Sequence, residues 1–181
     1  MSKKKTYSPR HIVLTVGHSN RRLEDFLRLL QEHEVTLLAD IRRFACSRSN
    51  PQFNADTLQK ALGAIDVSYI HLPALGGRRR PQPDSPNAAW KNASFRGYAD
   101  YMLTPEFEVA LQDLIERFEG QRAALMCAEA LPWRCHRSLV AEALVARGMT
   151  VQHILSPSRV QTHVPRPWAH VEGTRITFPA P

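Results

Sequence analysis

The densest chemistry in the chain lies in two short stretches, Cys127-Ala128-Glu129 and Cys135-His136-Arg137. A thiol beside an imidazole, a guanidinium and a helix start ionises more readily, and its thiolate is a strong nucleophile. Cys127 is therefore assigned as the reactive centre, with Glu129 and His136 as acid–base partners. Cys135 is the alternative nucleophile or a ligand contact, and Arg137 an anion contact. A cysteine leaving an apolar strand is also an ordinary small core residue, and two cysteines this close can form a redox pair. The interval Cys127-x6-Arg134 is one residue longer than the Cys-x5-Arg loop of cysteine phosphatases. Metal ligation by Cys127, Cys135 and His136 follows no common zinc spacing, so no metal is assigned. No motif specifies a cofactor.

A second group precedes these stretches. Gly17-His18-Ser19-Asn20 and Asp40-Ile41-Arg42 each follow an apolar run. His18 and Asp40 are candidate catalytic groups. The plainer alternatives are a turn histidine and an Asp40–Arg42 ion pair. Asn20, Arg42, Arg48, Gly76 and Gly77 are candidate ligand contacts: arginine forks match phosphate, and paired glycines let backbone approach a ligand. Asn20 is also a candidate helix cap. The triplet Arg78-Arg79-Arg80 is either a solvated face or a phosphate contact. Cys46 falls in a loop outside the Cys127 group and is expected to be dispensable.

Twenty-four basic against seventeen acidic residues give a net charge of +7. Four of those charges, Lys3, Lys4, Lys5 and Arg10, crowd the first ten residues, which read as a disordered tail. The internal excess is arginine, which points to a phosphate-bearing ligand, small molecule or nucleic acid. Hydrophobic residues make up 43% of the chain, in short runs, so no membrane span is expected. Three cysteines, an odd number, make no disulfide framework, and a reducing cytoplasm is the expected location.

These residues need a scaffold. Apolar runs at 11–16, 35–39, 67–71, 123–127 and 151–155 read as strands alternating with helices. Residues Leu23, Phe26, Leu27 and Leu30 form one helical stripe; Phe107, Leu111, Leu114 and Phe118 form another, started by Thr104-Pro105-Glu106. Leu139, Val140, Ala143 and Leu144 mark a helix over 135–147, and Phe95 to Met102 another. The pattern predicts one three-layer α/β/α domain over 11–162, Rossmann-like, with about five mainly parallel strands. The strand order taken as the expectation is 3-2-1-4-5. Residues 73–93 fit no core element, and 163–181 read as a Pro-rich tail on the surface. The candidate residues then gather at the carboxyl rim of the sheet, where open α/β sheets bind ligands.

The motifs together resemble a bacterial family, domain of unknown function 488. The resemblance rests on Gly17-His18-Ser19-Asn20, Asp40-Ile41-Arg42, Ser47-Arg48 and Asn50-Pro51-Gln52-Phe53-Asn54. It continues in Tyr69-Ile70-His71-Leu72-Pro73 with Leu75-Gly76-Gly77, then Phe95-Arg96-Gly97-Tyr98-Ala99-Asp100-Tyr101-Met102. It closes on Met126-Cys127-Ala128-Glu129 and Cys135-His136-Arg137, covering about residues 12–160. Ala45-Cys46 departs from the pattern, where such proteins usually carry a proline. The resemblance implies a shared rim site but carries no catalytic assignment; a DNA-repair association is its only functional hint. The expected function is an enzyme acting on a nucleotide, nucleic acid or other phosphate-bearing substrate. The alternatives are a non-catalytic nucleic-acid-binding accessory module and a thiol redox protein.

Overall fold

The computed structural model describes residues 12–180, so the expected basic tail over 1–10 lies outside the described residues. Five strands run parallel: β1 (Ile12–Gly17), β2 (Leu37–Asp40), β3 (Ser68–His71), β4 (Ala123–Cys127) and β5 (Thr150–Ser156). A sixth, β6 (Arg159–Thr162), adds antiparallel to β5. Helices α1 (Leu23–Glu32) and α2 (Ala55–Gly63) cover one face; α3 (Ala93–Tyr101), α4 (Pro105–Arg117) and α5 (Arg137–Val145) cover the other. This is the three-layer α/β/α arrangement that the alternation predicts. No described helix is long and apolar enough to cross a membrane.

The side-chain alternation of a strand separates the two cores. On β1, Leu14 and Val16 meet Phe26, Leu30 and Leu58, while Val13 faces the α4–α5 side with Leu111 and Leu139. The central strands are buried on both faces, as parallel strands are when helices cover them.

The strand order is β3-β2-β4-β1-β5-β6, not 3-2-1-4-5. Strand β4 inserts between β1 and β2. All three are apolar on both faces, so burial alone fits either order. The insertion places the end of Cys127 between its neighbours: Gly17 pairs with Cys127, and Asp40 with Met126.

Several local expectations also change. Helix α1 has Arg22, not Asn20, at its N-cap, and no side chain caps it. Asn54 starts α2, but its Oδ1 accepts from the Ser47 N–H at 2.7 Å and so fastens the preceding loop. The expected helix from Cys135 begins at Arg137, after a short 3-10 turn over Pro132–Arg134. The stretch 73–93 is ordered by Asp100, whose carboxylate accepts from Gln82 N, Ser85 Oγ and Asn87 Nδ2.

The C-terminal segment is more than a surface tail. Strands β7 (His170–Glu172) and β8 (Arg175–Thr177) form a hairpin that delivers Ile176 and Phe178 into the core beside α5. That cover explains why α5 is buried nearly all round, its Glu142 included. Glu142 receives Arg166 at 2.7 Å. A buried relay lies alongside: Thr15 Oγ1 lies 2.7 Å from His153 Nδ1, and His153 Nε2 lies 3.0 Å from His163 Nδ1. Burial, then the charge of His163, drives the His153 pKa down to about 3 from 6.5.

Between those values the unfolded chain binds a proton that the folded chain refuses. The stabilisation is complete above about pH 7 and is lost as pH falls, by about 2 kcal/mol at pH 5. Glu142, whose pKa is lowered by His163 and Arg166 against burial, adds in the same sense at lower pH. Urea midpoints measured from pH 7.5 to 5 should fall accordingly. His153→Gln, which keeps one acceptor and one donor, should flatten that slope; an unchanged slope refutes the assignment.

Candidate active site

The carboxyl ends of β1, β2 and β4 open into a cavity of about 800 Å³. Its floor is the thiol group. Cys127 and Cys135 are both buried. His136 Nδ1 lies 3.9 Å from Cys127 Sγ and 3.7 Å from Cys135 Sγ. The other ring nitrogen, Nε2, is 3.1 Å from the Ile41 carbonyl, which can only accept. Nε2 therefore carries the hydrogen, and in the neutral ring Nδ1 presents its lone pair to both sulfurs.

The two thiols shift in opposite directions. The Cys127 pKa falls well below the ordinary thiol value: the Cys135 thiol donates to it, and His136 and Arg137 add their attraction against the cost of burial. Burial and the neighbouring Cys127 sulfur push Cys135 up, although the Arg137 N–H donates to its Sγ at 3.3 Å. Of the two, Cys127 is the thiol pushed toward ionisation and Cys135 the one held toward its protonated form.

Close backbone contacts hold the floor in place. His18 N–H donates to Cys127 O (3.0 Å) and Ser19 N–H to Ala128 O (2.8 Å), extending the β1–β4 ladder past its end. Gly17 permits this: a Cβ there would lie 1.9 Å from the Glu129 carbonyl oxygen. Gly17→Ala must displace the Cys127–Glu129 loop. It should cost about 1–3 kcal/mol in urea unfolding, as other overpacking changes do, and slow Cys127 alkylation; a neutral variant with full reactivity refutes this. Gly77 crosses the His136 ring, where a Cβ would come within 3.0 Å of Nδ1. Gly76 lies against Arg43, with no room for a Cβ; it shapes the wall behind the cavity.

The other expected site residues divide. His18 lines the cavity, but both its nitrogens are engaged. Nδ1 donates to Ser19 O at 2.7 Å, and Nε2 accepts from Arg42 at 3.2 Å. Burial and the Arg42 charge lower its pKa. It stacks on Phe53 with centroids 4.3 Å apart. His18 is thus a fixed neutral strut, not a free base. Asp40 is wholly buried and does not reach the cavity. It holds Arg42 through Oδ2 at 2.6 Å and accepts from the Tyr69 hydroxyl at 2.8 Å.

Arg137 also lies behind the site. Its guanidinium donates to the carbonyls of Val16, Glu129 and Ala130, and the residue is buried and does not line the cavity. Arg48 is exposed and lies off the cavity wall. Glu129 does line the cavity. It does not orient the imidazole, because the Ile41 carbonyl does. Asn20 is exposed on the cavity rim.

Arg43, Phe44 and Arg134 join the cavity lining as residues not among the expected contacts, and Arg78, of the triplet with two readings, lines it too. Phe44 is exposed, and the guanidinium carbons of Arg43 and Arg78 stand 6.0 and 5.6 Å from its ring centre. Arg78 takes a φ of 61°, in the left-handed region disfavoured for arginine. The Arg134 side chain makes no hydrogen bond or ion pair among the described residues. Tyr98 packs its ring 5.1 Å from that of His136 and donates to Leu75 O. Cys46, placed outside the site by its sequence position, is on the cavity wall. The available signal was an arginine pair flanking an aromatic in a polar loop.

A family profile described as Domain of unknown function DUF488 matches residues 22–144. The chain belongs to this family. No curated protein and no solved structure matches it. The matched DUF488 segment holds the Cys127–His136 floor and the arginines of the wall, while Gly17, His18 and the C-terminal hairpin lie outside it.

Proposed function

We propose that this DUF488 protein is an enzyme acting on a phosphate-bearing substrate, a nucleotide or nucleic acid, with Cys127 as nucleophile. The observation that carries this reading is the meeting of Cys127 Sγ and His136 Nδ1, 3.9 Å apart, under a cationic wall. That wall has four arginines, Arg42, Arg43, Arg78 and Arg134, against one carboxylate, Glu129. Arg42 is committed to Asp40, which leaves three guanidinium groups for an anion. His136 takes the thiol proton or steadies the thiolate. Glu129, on the wall, is the group placed to move a proton on the substrate. Exposed Phe44 between two arginines offers a stacking surface for a base, as single-stranded nucleic-acid sites do. The same feature favours the second reading, a binding module without catalysis.

Protection of Cys127 from iodoacetamide tests the substrate class. Inorganic phosphate, mononucleotides and short oligonucleotides should each slow alkylation, and Arg134→Ala should weaken that protection several-fold. Oligonucleotide affinity should fall steeply with salt. Failure of all three ligands to protect at low salt defeats the phosphate reading. Protection with no covalent adduct and no turnover selects the binding module.

A further inference from the structure

We infer that Cys127, Cys135 and His136 form a three-ligand site for a thiophilic divalent cation of the zinc class, open toward the cavity. The inference rests on the geometry of the three donors and adds a regulator to the site of the proposed function.

The donor set comes first. The two Sγ atoms and His136 Nδ1 lie within 4.8 Å of one another. Two thiolates and an imidazole form a donor set that suits zinc and disfavours magnesium or calcium.

Distances come second. A zinc ion takes sulfur at about 2.3 Å and nitrogen at about 2.0 Å, which puts sulfur and nitrogen about 3.5–3.8 Å apart for angles between tetrahedral and trigonal. The two Sγ–Nδ1 separations, 3.7 and 3.9 Å, need almost no adjustment, and the two sulfurs, within 4.8 Å of each other, close by at most about 1 Å.

The surroundings are a third, independent point. Ligating histidines donate their second ring nitrogen to a carbonyl or carboxylate, which fixes the tautomer. His136 already does so toward Ile41 O at 3.1 Å, and the Arg137 N–H supports Cys135 Sγ at 3.3 Å. Gly77 leaves space beside Nδ1 that a Cβ would narrow to 3.0 Å.

The fourth coordination position faces the cavity and would take water or a substrate oxygen. Sequence spacing hid the site, because Cys135 and His136 are adjacent in the chain. The turn over Pro132–Arg134 brings both against the end of β4.

Binding balances simply. Both sulfurs bind as thiolates, so any proton still on Cys127 or Cys135 leaves to solvent as the cation enters. The electron pair that makes Cys127 a nucleophile is then held by the metal. Occupancy therefore silences alkylation.

The test uses the reduced full chain in a Cys46→Ser background, so that only the two site thiols remain. Cobalt(II) titration should give thiolate-to-cobalt charge-transfer absorption saturating at one ion per chain, and zinc(II) should abolish it. One equivalent of zinc(II) should slow Cys127 alkylation at least tenfold. Cys135→Ser and His136→Ala, each checked for folding by circular dichroism, should bind zinc(II) at least about a hundredfold more weakly.

The absence of a charge-transfer band, or equal affinity in the folded Cys135→Ser protein, overturns the inference. Neither depends on Cys127 being a nucleophile. Rapid alkylation untouched by zinc(II) defeats this inference and leaves the enzyme reading standing. Tight cobalt binding with Cys127 no more reactive than free cysteine does the reverse.

Discussion

Replacing Cys127 by serine is expected to abolish the protein's thiol chemistry, lowering adduct formation or turnover at least about a thousandfold, as removal of a nucleophile does. In the unaltered chain, Cys127 alkylation should reach half its maximal rate at a pH below the roughly 8.5 of a free cysteine. The Cys135 thiol donates to the Cys127 sulfur, and His136 and Arg137 attract the negative charge. The sign for the variants follows. Cys135→Ala removes the donor and should move the Cys127 midpoint upward; Cys135→Ser keeps an O–H donor and should move it less. His136→Ala should also raise it. Peptide mass mapping of alkylation against pH reads all four proteins. A midpoint at or above that of free cysteine would make Cys127 a core residue, and the cavity would then be a binding clamp.

Arg137→Met is expected to cost about 3 kcal/mol of stability. Arg137 is 1% exposed, and no carboxylate pairs with it. Its guanidinium donates to three carbonyls, Val16 at 2.9 Å, Glu129 at 3.0 Å and Ala130 at 3.2 Å, while its Nε is buried without a hydrogen-bond partner. Methionine fills the volume but removes the guanidinium donor from all three carbonyls, of which the Val16 bond is buried and the Glu129 and Ala130 bonds are half-buried. Two of them belong to the loop that follows Cys127, so the floor of the cavity loosens as well. For a domain of this size each kcal/mol lowers the melting temperature by about 2–4 °C. A thermal shift of about 6 °C or more is the expected reading, with the Cys127 midpoint raised because a nearby positive charge is gone. A loss under about 1 kcal/mol refutes the structural role.

The position of Arg137 shows where motif reading stops. In sequence it is the third residue of Cys135-His136-Arg137, next to a histidine that does face the cavity, and arginine there suggests a phosphate contact. Helix α5 turns it the other way, beneath the loop. Asp40 is similar: its place after an apolar strand marks the rim, but its carboxylate points inward to Arg42 and Tyr69. Adjacency in the chain gives proximity, and only backbone direction decides which neighbour meets solvent.

What the sequence determined by itself is the layer architecture, the rim and the membership of Cys127 and His136 in one site. Apolar periodicity is local and sets helix and strand type directly; a parallel sheet then forces all its strand ends to one side. The sequence also carried the family, through motifs spread along most of the chain. Only the tertiary structure decided that β4 lies between β1 and β2, since three strands buried on both faces satisfy the hydrophobic effect in any order. It alone decided the cationic wall, because Arg43, Arg78 and Arg134 come from three separate loops with no periodicity to relate them. It also decided the packing of Phe178 beside α5, a long-range contact that a proline-rich stretch does not announce. The thiol triad lies between these cases: its residues were legible in the sequence, while the convergence of two sulfurs on one nitrogen needed the turn at Pro132 and the anchor at Ile41.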